Sequence, residues 1–212
     1  MEQFSNEQGK SILLSMVKGI QENRDYLGEV DGLIGDGDHG MNMNKGFTVF
    51  AERYKETALS LTEGLEALGM VLLNEIGGSM GPIYGTIFLS MAEEGNGLEE
   101  IALPDFTRML GHGLEELFQV IDARQGDKTL VDTLFPAVER LKQSVEEKDS
   151  FRSALEKMKE EAERGKNSTK ELVARYGRSS RLGERSRGVL DAGAVSCCII
   201  LKAMADGIEA LL

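Results

Sequence analysis

The chain has 212 residues, enough for one sizeable hydrophobic core or two small ones. It carries 36 acidic and 24 basic side chains, a formal net charge of −12, which would be repelled by a phosphate backbone and so argues against nucleic acid as a partner. The N-terminus is polar and acidic, and the longest apolar run, 192–201, is about half of the ~20 residues that a membrane span requires, so we expect a cytoplasmic protein without a membrane segment.

Apolar residues at helical spacing predict eight amphipathic helices and no β-strand. The predicted spans are about 5–26, 40–54, 62–76, 81–91, 104–121, 127–141, 150–175 and 191–211. In the last of them, the adjacent Cys197 and Cys198 are expected to be buried small side chains rather than a structural disulfide. The pattern therefore predicts an all-α protein with a single domain, residues 1–212.

Four glycine-bearing loops separate these helices, and they cover residues 31–42, 77–82, 122–129 and 176–193. In an up-and-down array, the connections that follow the first, third, fifth and seventh helices all lie at the same end. We therefore expect the four loops to surround one mouth.

Three aspartates and four glycines share the first of these loops. Asp31, Asp36 and Asp38 lie within eight residues; carboxylates this close repel one another, and each glycine adds an entropic cost of ordering. Both costs are explained if the carboxylates converge on a hard cation such as Mg²⁺, which prefers oxygen ligands and often bridges to phosphate. An acidic, glycine-rich surface turn is the alternative, and the residues alone leave both interpretations open.

Three well-known phosphate- or metal-binding loops do not fit this stretch. Residues 35–40 match G-x-G-x-x-G in form, but carboxylates at its variable positions would repel a bare pyrophosphate. A P-loop needs Gly-Lys followed by Ser or Thr, whereas here Lys45 precedes Gly46. An EF-hand that began at Asp36 would need Gly and Glu where Met41 and Phe47 stand. A metal-bridged phosphate site would therefore have another architecture.

Two of the other loops offer groups that suit a phosphate ligand. The turn with Ser79 and Met80 can present backbone N–H groups and a hydroxyl at a helix N-terminus. The last loop holds four arginines, at 178, 181, 185 and 187, which would favour phosphate or an acidic partner surface. A tight turn and solvated charge are the alternatives. Neither histidine has the partners of a nucleophilic relay, so we predict no catalytic residue that attacks a substrate.

Together these motifs resemble the L subunit of dihydroxyacetone kinases, the nucleotide-binding subunit of that enzyme. The resemblance rests on IGDGDHGMNM at 34–43, GGSMGPIYG at 77–85, GDKTLVD at 126–132, GRSSRLGERS at 177–186 and DAGA at 191–194. It extends over essentially the whole chain. The related nucleotide domain of fatty-acid kinases usually has PDGDTGTN at the first loop, and Ile34 and His39 place this chain on the dihydroxyacetone side.

The resemblance implies an eight-helix antiparallel up-and-down barrel that binds ADP or ATP with Mg²⁺ at one mouth. It further implies that Asp31, Asp36 and Asp38 hold the magnesium ions. The nucleotide-binding residues that it implies are His39, Gly40, Met41, Asn42, Ser79, Met80, Gly126, Leu130, Arg178, Asp191, Ala192 and Gly193. Ala192 stands where many members have proline, which leaves the nucleotide contacts of that turn open.

The implied function is that of a kinase subunit that is active only with its partners. It would pass a phosphoryl group, by way of ADP and ATP, from a phosphohistidine donor of the phosphotransferase system (an M-type subunit) to dihydroxyacetone held on a separate K-type subunit. Two alternatives stay open: the nucleotide subunit of an ATP-dependent kinase for dihydroxyacetone or another small ketose, and a non-catalytic nucleotide-binding adaptor of a transcription regulator. We also expect a homodimer.

Overall fold

The computed structural model describes residues 2–212, which are mostly helical, as predicted, with two short strands. The α-helices are α1 (Lys10–Glu22), α2 (Arg24–Gly32), α3 (His39–Arg53), α4 (Leu61–Glu75), α5 (Met80–Glu94), α6 (Leu103–Val120), α7 (Val131–Glu147), α8 (Phe151–Ser168) and α9 (Ala192–Glu209). Three 3₁₀ helices cover Asn6–Gln8, Thr169–Glu171 and Arg178–Ser186, and the strands are β1 (Gln3–Ser5) and β2 (Glu100–Ala102). Across residues 2–212, no helix has both the length and the apolar character needed to cross a membrane.

The first predicted helix is in fact two helices. α1 ends at Glu22 and α2 begins at Arg24, and Asn23 between them has φ −105° and ψ 10°. The Asn23 side-chain amide donates to the Gly19 carbonyl at 2.8 Å and so satisfies a carbonyl in the last turn of α1. The described part of the chain therefore has nine α-helices, and Asp31 lies in the last turn of α2 rather than in a loop.

A two-stranded antiparallel sheet contradicts the prediction that the chain has no strand. Phe4 of β1 is paired with Ile101 of β2, and both side chains are buried. Each strand has only three residues, too few for an alternating pattern to be recognised in the sequence. The sheet attaches residues 3–5 to the connection between α5 and α6.

Two later boundaries also differ from the prediction. α7 begins at Val131 rather than near Asp127, because the preceding turn contains Lys128 in the left-handed conformation, with φ 61°. α8 ends at Ser168 rather than near residue 175. From residue 169 to 175 the chain is not α-helical. The Ala174 N–H, for example, donates to Ser186 Oγ at 2.9 Å instead of to a backbone carbonyl four residues before it.

The helices pack in a closed ring around one hydrophobic core. Each helix from α3 to α9 packs against the next, α9 packs against α1, and α1 packs against α3. The short α2 packs against α3 and α9. The Phe47 and Phe88 rings, from α3 and α5, meet edge to face in this core with 6.5 Å between centroids. Cys197 and Cys198 are buried free thiols, as the sequence predicts.

Candidate functional site

A cavity of about 540 Å³ opens where α3, α5, α7 and α9 begin. Its walls come from four segments that are far apart in the sequence, residues 31–42, 77–83, 121–130 and 176–193. These segments match the four glycine-bearing loops, so the deduction that they surround one mouth is confirmed. The helix ring thus brings the connections before α3, α5, α7 and α9 to one place.

Four helix N-termini border the cavity, and the N-cap side chains of three of them make no capping hydrogen bond. These three are Asp38 before α3, Ser79 before α5 and Leu130 before α7. At α7, however, the first N–H groups are already bonded, because the Val131 N–H donates to Thr129 Oγ1 at 3.2 Å and the next N–H donates to the Thr129 carbonyl at 3.1 Å. α9 differs, because the Asp191 carboxylate accepts a hydrogen bond from the Ala194 N–H at 2.8 Å. The first N–H groups of a helix have no partner within the helix and carry the positive end of its dipole. The N-termini of α3 and α5 therefore suit an anion such as a polyphosphate.

Three carboxylates converge at one side of the cavity. Asp31, Asp36 and Asp38 each offer one oxygen, and these oxygens lie within 4.8 Å of one another. Gly35 allows this approach, because a Cβ at that position would overlap the Asp31 carboxylate. Gly37 has φ 78°, a conformation that glycine adopts without strain. The geometry of the loop thus explains why glycine occupies these two positions.

The chemistry of this donor set fits a hard divalent cation such as Mg²⁺, because all three residues offer carboxylate oxygens at a spacing that one ion can bridge. Two other groups of the protein contact these carboxylates. The Arg178 guanidinium forms an ion pair with Asp36, and the His39 N–H donates to Asp31 Oδ2 at 3.3 Å. Ligation of Mg²⁺ by the three aspartates stays a prediction.

The His39 ring is held by a buried chain of hydrogen bonds. His39 Nε2 lies 2.9 Å from Ser196 Oγ, which in turn lies 2.7 Å from the Tyr84 hydroxyl oxygen. The Ser196 hydroxyl also donates to the Gly193 carbonyl at 3.1 Å. Burial lowers the pKa of His39 to about 4, against an opposing effect of the Asp31 charge. His39 is therefore neutral near pH 7 and presents a polar, uncharged ring to the cavity.

A buried lysine and a partly buried carboxylate also lie in the wall. Lys128 is only 1% exposed, and its ammonium donates to the carbonyls of Thr169 and, at 2.6 Å, Val189. Burial lowers the pKa of Lys128, while the charge of Asp191 opposes this effect. Burial raises the pKa of the Asp191 carboxyl to about 6, although its hydrogen bond from Ala194 and the Lys128 charge act in the other direction.

Most of the predicted nucleotide-binding residues lie in the wall. These are His39, Asn42, Ser79, Met80, Leu130, Arg178, Asp191, Ala192 and Gly193. The other three lie outside it. Gly40 is buried where α3 meets α2, with no room for a Cβ beside the Arg24 carbonyl, and Met41 is 64% exposed. The Gly126 N–H donates to Asp132 Oδ1 at 2.5 Å, which makes it part of the turn before α7.

Sequence reasoning missed Lys128, Ser196 and Tyr84. Lys128 belongs to a polar turn, where a lysine is normally solvated. Ser196 and Tyr84 lie within apolar helical patterns, and these patterns predict only that the two residues belong to core-facing helices. Their signal is a hydroxyl on the inward face of a helix, because a buried hydroxyl requires a hydrogen-bond partner.

Comparison with known proteins gives a family and close relatives. The model of the DAK2 domain family matches residues 33–206. The chain is 38% identical over 182 residues to the ADP-binding subunit DhaL of the PEP-dependent dihydroxyacetone kinase of Escherichia coli (strain K12), with 85% of this chain and 87% of that protein covered. It is 37% identical over 186 residues to the ADP-binding subunit DhaL of PEP-dependent dihydroxyacetone kinase 1 of Listeria innocua, with 87% and 88% covered.

A solved structure shares the fold. The dihydroxyacetone kinase of C. freundii, in complex with AMP-PNP and Mg²⁺, superposes with a TM-score of 0.68 at 20% sequence identity. The match covers 97% of this chain and 35% of the other, so the chain spans about a third of that neighbour's length.

Proposed function

This chain belongs to the DAK2 domain family, and on that premise we propose that it is the ADP-binding L subunit of a multi-subunit dihydroxyacetone kinase. The two relatives compared above match over most of their length, and both are named as ADP-binding subunits of PEP-dependent dihydroxyacetone kinases. In this function the chain binds ADP or ATP with Mg²⁺, and the phosphoryl group passes from a phosphohistidine donor of the phosphotransferase system to dihydroxyacetone. The chain acts as a kinase only together with its partner subunits.

One observation carries the proposal: three carboxylates and the N-termini of α3 and α5, whose N-cap side chains make no capping hydrogen bond, face the same cavity. Carboxylate oxygens suit Mg²⁺, and helix N-termini suit phosphate oxygens. A nucleoside diphosphate with its metal ion combines both requirements in a single ligand. The C. freundii kinase, which shares the fold, was solved with AMP-PNP and Mg²⁺, and this supports the same class of ligand here.

Within the cavity we assign a role to each group of side chains. Asp31, Asp36 and Asp38 would ligate Mg²⁺, and the first turns of α3 and α5 would bind phosphate oxygens. Met80 and Leu130 supply apolar wall for the nucleoside. The three predicted residues outside the wall would act indirectly, through the position of α3 and of the turn before α7.

Catalysis by this chain would consist of positioning and electrostatics, without a nucleophile of its own. When bound, Mg²⁺ would neutralise the charge of the polyphosphate and the charge that develops on the transferred group. The neutral His39 ring can hydrogen-bond a phosphate oxygen without adding charge to the site. Arg178, on the segment above the carboxylates, can meet negative charge on the ligand.

We further infer that the helix ring is an eight-helix antiparallel up-and-down barrel. It would consist of α1 and α3 to α9, and residues 1–212 would form one DhaL-type domain. Consecutive helices that pack side by side favour this topology. The ninth helix, α2, is short, and it contributes Asp31 to the carboxylate set.

The partners that we propose are a K-type subunit, which holds the ketose, and an M-type phosphohistidine donor. Arg181 is exposed beside the carboxylate loop, Arg185 is exposed four residues farther along, and both suit an acidic partner surface. Arg187 is a weaker candidate, because it already forms an ion pair with Glu184 at 3.0 Å. A subunit supplied by such a donor would work in the cytoplasm, and a homodimer stays a prediction that light scattering can test.

The deciding experiment follows the nucleotide. Protein purified without added nucleotide and dialysed extensively should still carry ADP, to be measured by chromatography of the denatured extract. Addition of the M-type donor, charged by the general phosphotransferase proteins, and of a K-type subunit should then produce dihydroxyacetone phosphate, whereas the isolated chain should produce none.

Each alternative predicts a different result in the same experiment. Rapid exchange with labelled ATP, coupled to ketose phosphorylation, would move the chain to the ATP-dependent class. ADP binding with no phosphorylation in the presence of both partners would favour the adaptor. Kinase activity of the isolated chain would refute a site divided between subunits.

A further inference from the structure

The chain between α8 and α9 forms a loop, residues 172–187, whose two ends are fastened to each other. The Gly188 N–H donates to the Lys170 carbonyl at 2.7 Å, which closes a narrow neck. From this neck the loop extends to the cavity, where residues 176–179 form part of the wall. The architecture is that of a compact surface loop with adjacent ends, a type that is often functional.

Lys128 reaches the same neck from the turn before α7. Its ammonium donates to the Thr169 carbonyl on one side of the neck and to the Val189 carbonyl, at 2.6 Å, on the other. The side chain is 1% exposed, and the backbone has φ 61°. Both features are unfavourable for a lysine, since its charge is removed from water and its Cβ is crowded. Such a conformation persists only where the surroundings fix it.

We propose that Lys128 is a positioning residue that clamps the neck of the 172–187 loop and thereby holds Arg178 over the carboxylates of the cavity. Arg178 lies on this loop and forms an ion pair with Asp36. The turn that carries Lys128 supports the loop at a second point, because the Arg175 N–H donates to the Asp127 carbonyl at 3.2 Å. The clamp explains why a charged side chain is buried beside the cavity.

Direct binding of the nucleotide by Lys128 is the competing explanation, because the residue lies in the cavity wall. Two of its three N–H groups are engaged by backbone carbonyls on opposite sides of the neck. The geometry therefore points to the neck as the main partner of the ammonium. Under direct binding, loss of the side chain would weaken nucleotide affinity and leave the free loop unchanged.

The chain contains a matched control for this residue. Lys148 is the other non-glycine residue of the described chain with positive φ, at 58°, and it lies exposed at the end of α7. Glycine adopts this conformation readily. Lys128→Gly and Lys148→Gly therefore relieve the same backbone strain and remove the same side chain, and the difference between them reports the burial of the Lys128 side chain. Lys128→Met, which keeps an apolar side chain of similar length, separates the contribution of the ammonium from that of the buried methylenes.

Hydrogen exchange without nucleotide tests the clamp. In Lys128→Gly, the backbone amides of residues 172–190 should exchange at least tenfold faster than in the wild type, while those of α4 and α5 should keep their rates. In Lys148→Gly, the rates at 172–190 should not change. Addition of n-butylammonium, which replaces the missing side chain, should slow exchange at 172–190 in Lys128→Gly. If Lys128→Gly does not fold, Lys128→Met is measured in the same way.

The consequence for binding rests on the proposed function and is measured separately. Affinity for ADP with Mg²⁺ should fall at least tenfold in Lys128→Gly and stay unchanged in Lys148→Gly. Unchanged exchange at 172–190 in Lys128→Gly would overturn the clamp. If ADP affinity were weakened at the same time, direct binding of the nucleotide by Lys128 would explain the result. Because the exchange experiment needs no nucleotide, a wild type that fails to bind ADP would refute the proposed function while the loop result still decides the clamp.

Discussion

The two ends of the helix ring begin their helices in different ways. At the end where α4, α6 and α8 begin, N-cap side chains cap α4 and α8: Ser60 accepts a hydrogen bond from the Glu63 N–H, and Ser150 accepts one from the Ser153 N–H, both at 3.2 Å. At the cavity end, the N-cap side chains of α3 and α5 make no such bond, whereas α9 is capped by Asp191 and the first N–H of α7 is bonded to Thr129. A capping side chain contributes about 1 kcal/mol. Two helices at the cavity end, α3 and α5, thus forgo this stability and keep N–H groups available to a ligand.

The buried hydrogen-bond networks at the two ends of the helix ring also differ in what they connect. At the capped end, Asn6 donates to Thr62 Oγ1 at 3.1 Å and to the Leu98 carbonyl at 2.8 Å, which joins three parts of the chain. At the cavity end, Ser196 joins Tyr84 to a histidine in the cavity wall. One network only holds the fold together, whereas the other also positions a side chain of the site. Substitutions at the two ends should therefore separate stability from binding.

The largest effect should come from the carboxylates. Asp36→Asn or Asp38→Asn should lower the affinity for ADP with Mg²⁺ by at least about 100-fold, or about 3 kcal/mol, because a ligand of the cation loses its charge. The melting temperature of Asp38→Asn should stay the same or rise, since mutual repulsion decreases, whereas in Asp36→Asn the weakened ion pair with Arg178 opposes this gain. Calorimetric titration with and without a chelator measures the first effect, and Asp25→Asn on the exposed face of α2 is the control. Tight ADP binding in the chelator, or in either variant, would show that the carboxylates do not hold the metal.

The two buried networks give the next effect. Ser196→Ala should destabilise the fold by roughly 1–3 kcal/mol, because the Tyr84 hydroxyl and the His39 ring remain buried and lose a partner. It should also weaken ADP binding, since the ring is no longer fixed. Thr62→Val at the capped end should destabilise the fold without a change in ADP affinity. Equal binding constants for the two variants would remove the distinction between the networks.

Substitution of the N-cap serines Ser60 and Ser79 should have smaller effects, on stability in one case and on ADP affinity in the other. Ser60→Ala should lower the free energy of unfolding by about 1 kcal/mol and leave ADP affinity unchanged, because a capping bond is lost far from the cavity. Ser79→Ala should leave stability unchanged and weaken ADP binding severalfold, because its hydroxyl makes no capping bond and faces the cavity. Urea denaturation and calorimetry of both variants measure the four values. A loss of stability in Ser79→Ala would mean that its hydroxyl supports the helix after all.

The same contrast shows what could be predicted from the sequence. Apolar spacing is a local property, and it placed most of the helices and, through their alternation, the four loops at one mouth. The split between α1 and α2 depends on one side-chain hydrogen bond of Asn23, and the pairing of Phe4 with Ile101 joins residues almost a hundred positions apart. Burial of Lys128 likewise requires two carbonyls from 41 and 61 residues farther along. Such contacts depend on tertiary packing, so they cannot be predicted from the spacing of apolar residues within one segment.

The smallest effect is expected in the pH dependence of the wild type, where two groups at the cavity end oppose each other. The pKa of His39 falls from 6.5 to about 4 in the folded chain, so the unfolded chain binds more protons between these values and stability is lost as the pH falls through them. The pKa of Asp191 rises from 3.8 to about 6, so the folded chain binds more protons there, and stability is lost as the pH rises through this range. Each tenfold change in proton affinity is worth about 1.4 kcal/mol, so the two contributions are each at most on the order of 3 kcal/mol and opposite in sign.

Single substitutions should expose the two slopes that cancel in the wild type. Asp191→Asn keeps an N-cap acceptor for Ala194 and removes the carboxyl, so its free energy of unfolding should fall more steeply than that of the wild type between pH 6.5 and 4. His39→Gln should show the reverse, a stability that rises as the pH falls through the same range. Urea denaturation at half-unit steps of pH measures both curves, with Asp25→Asn again as the control. Parallel curves for the wild type and both variants would mean that neither group changes its proton affinity on folding.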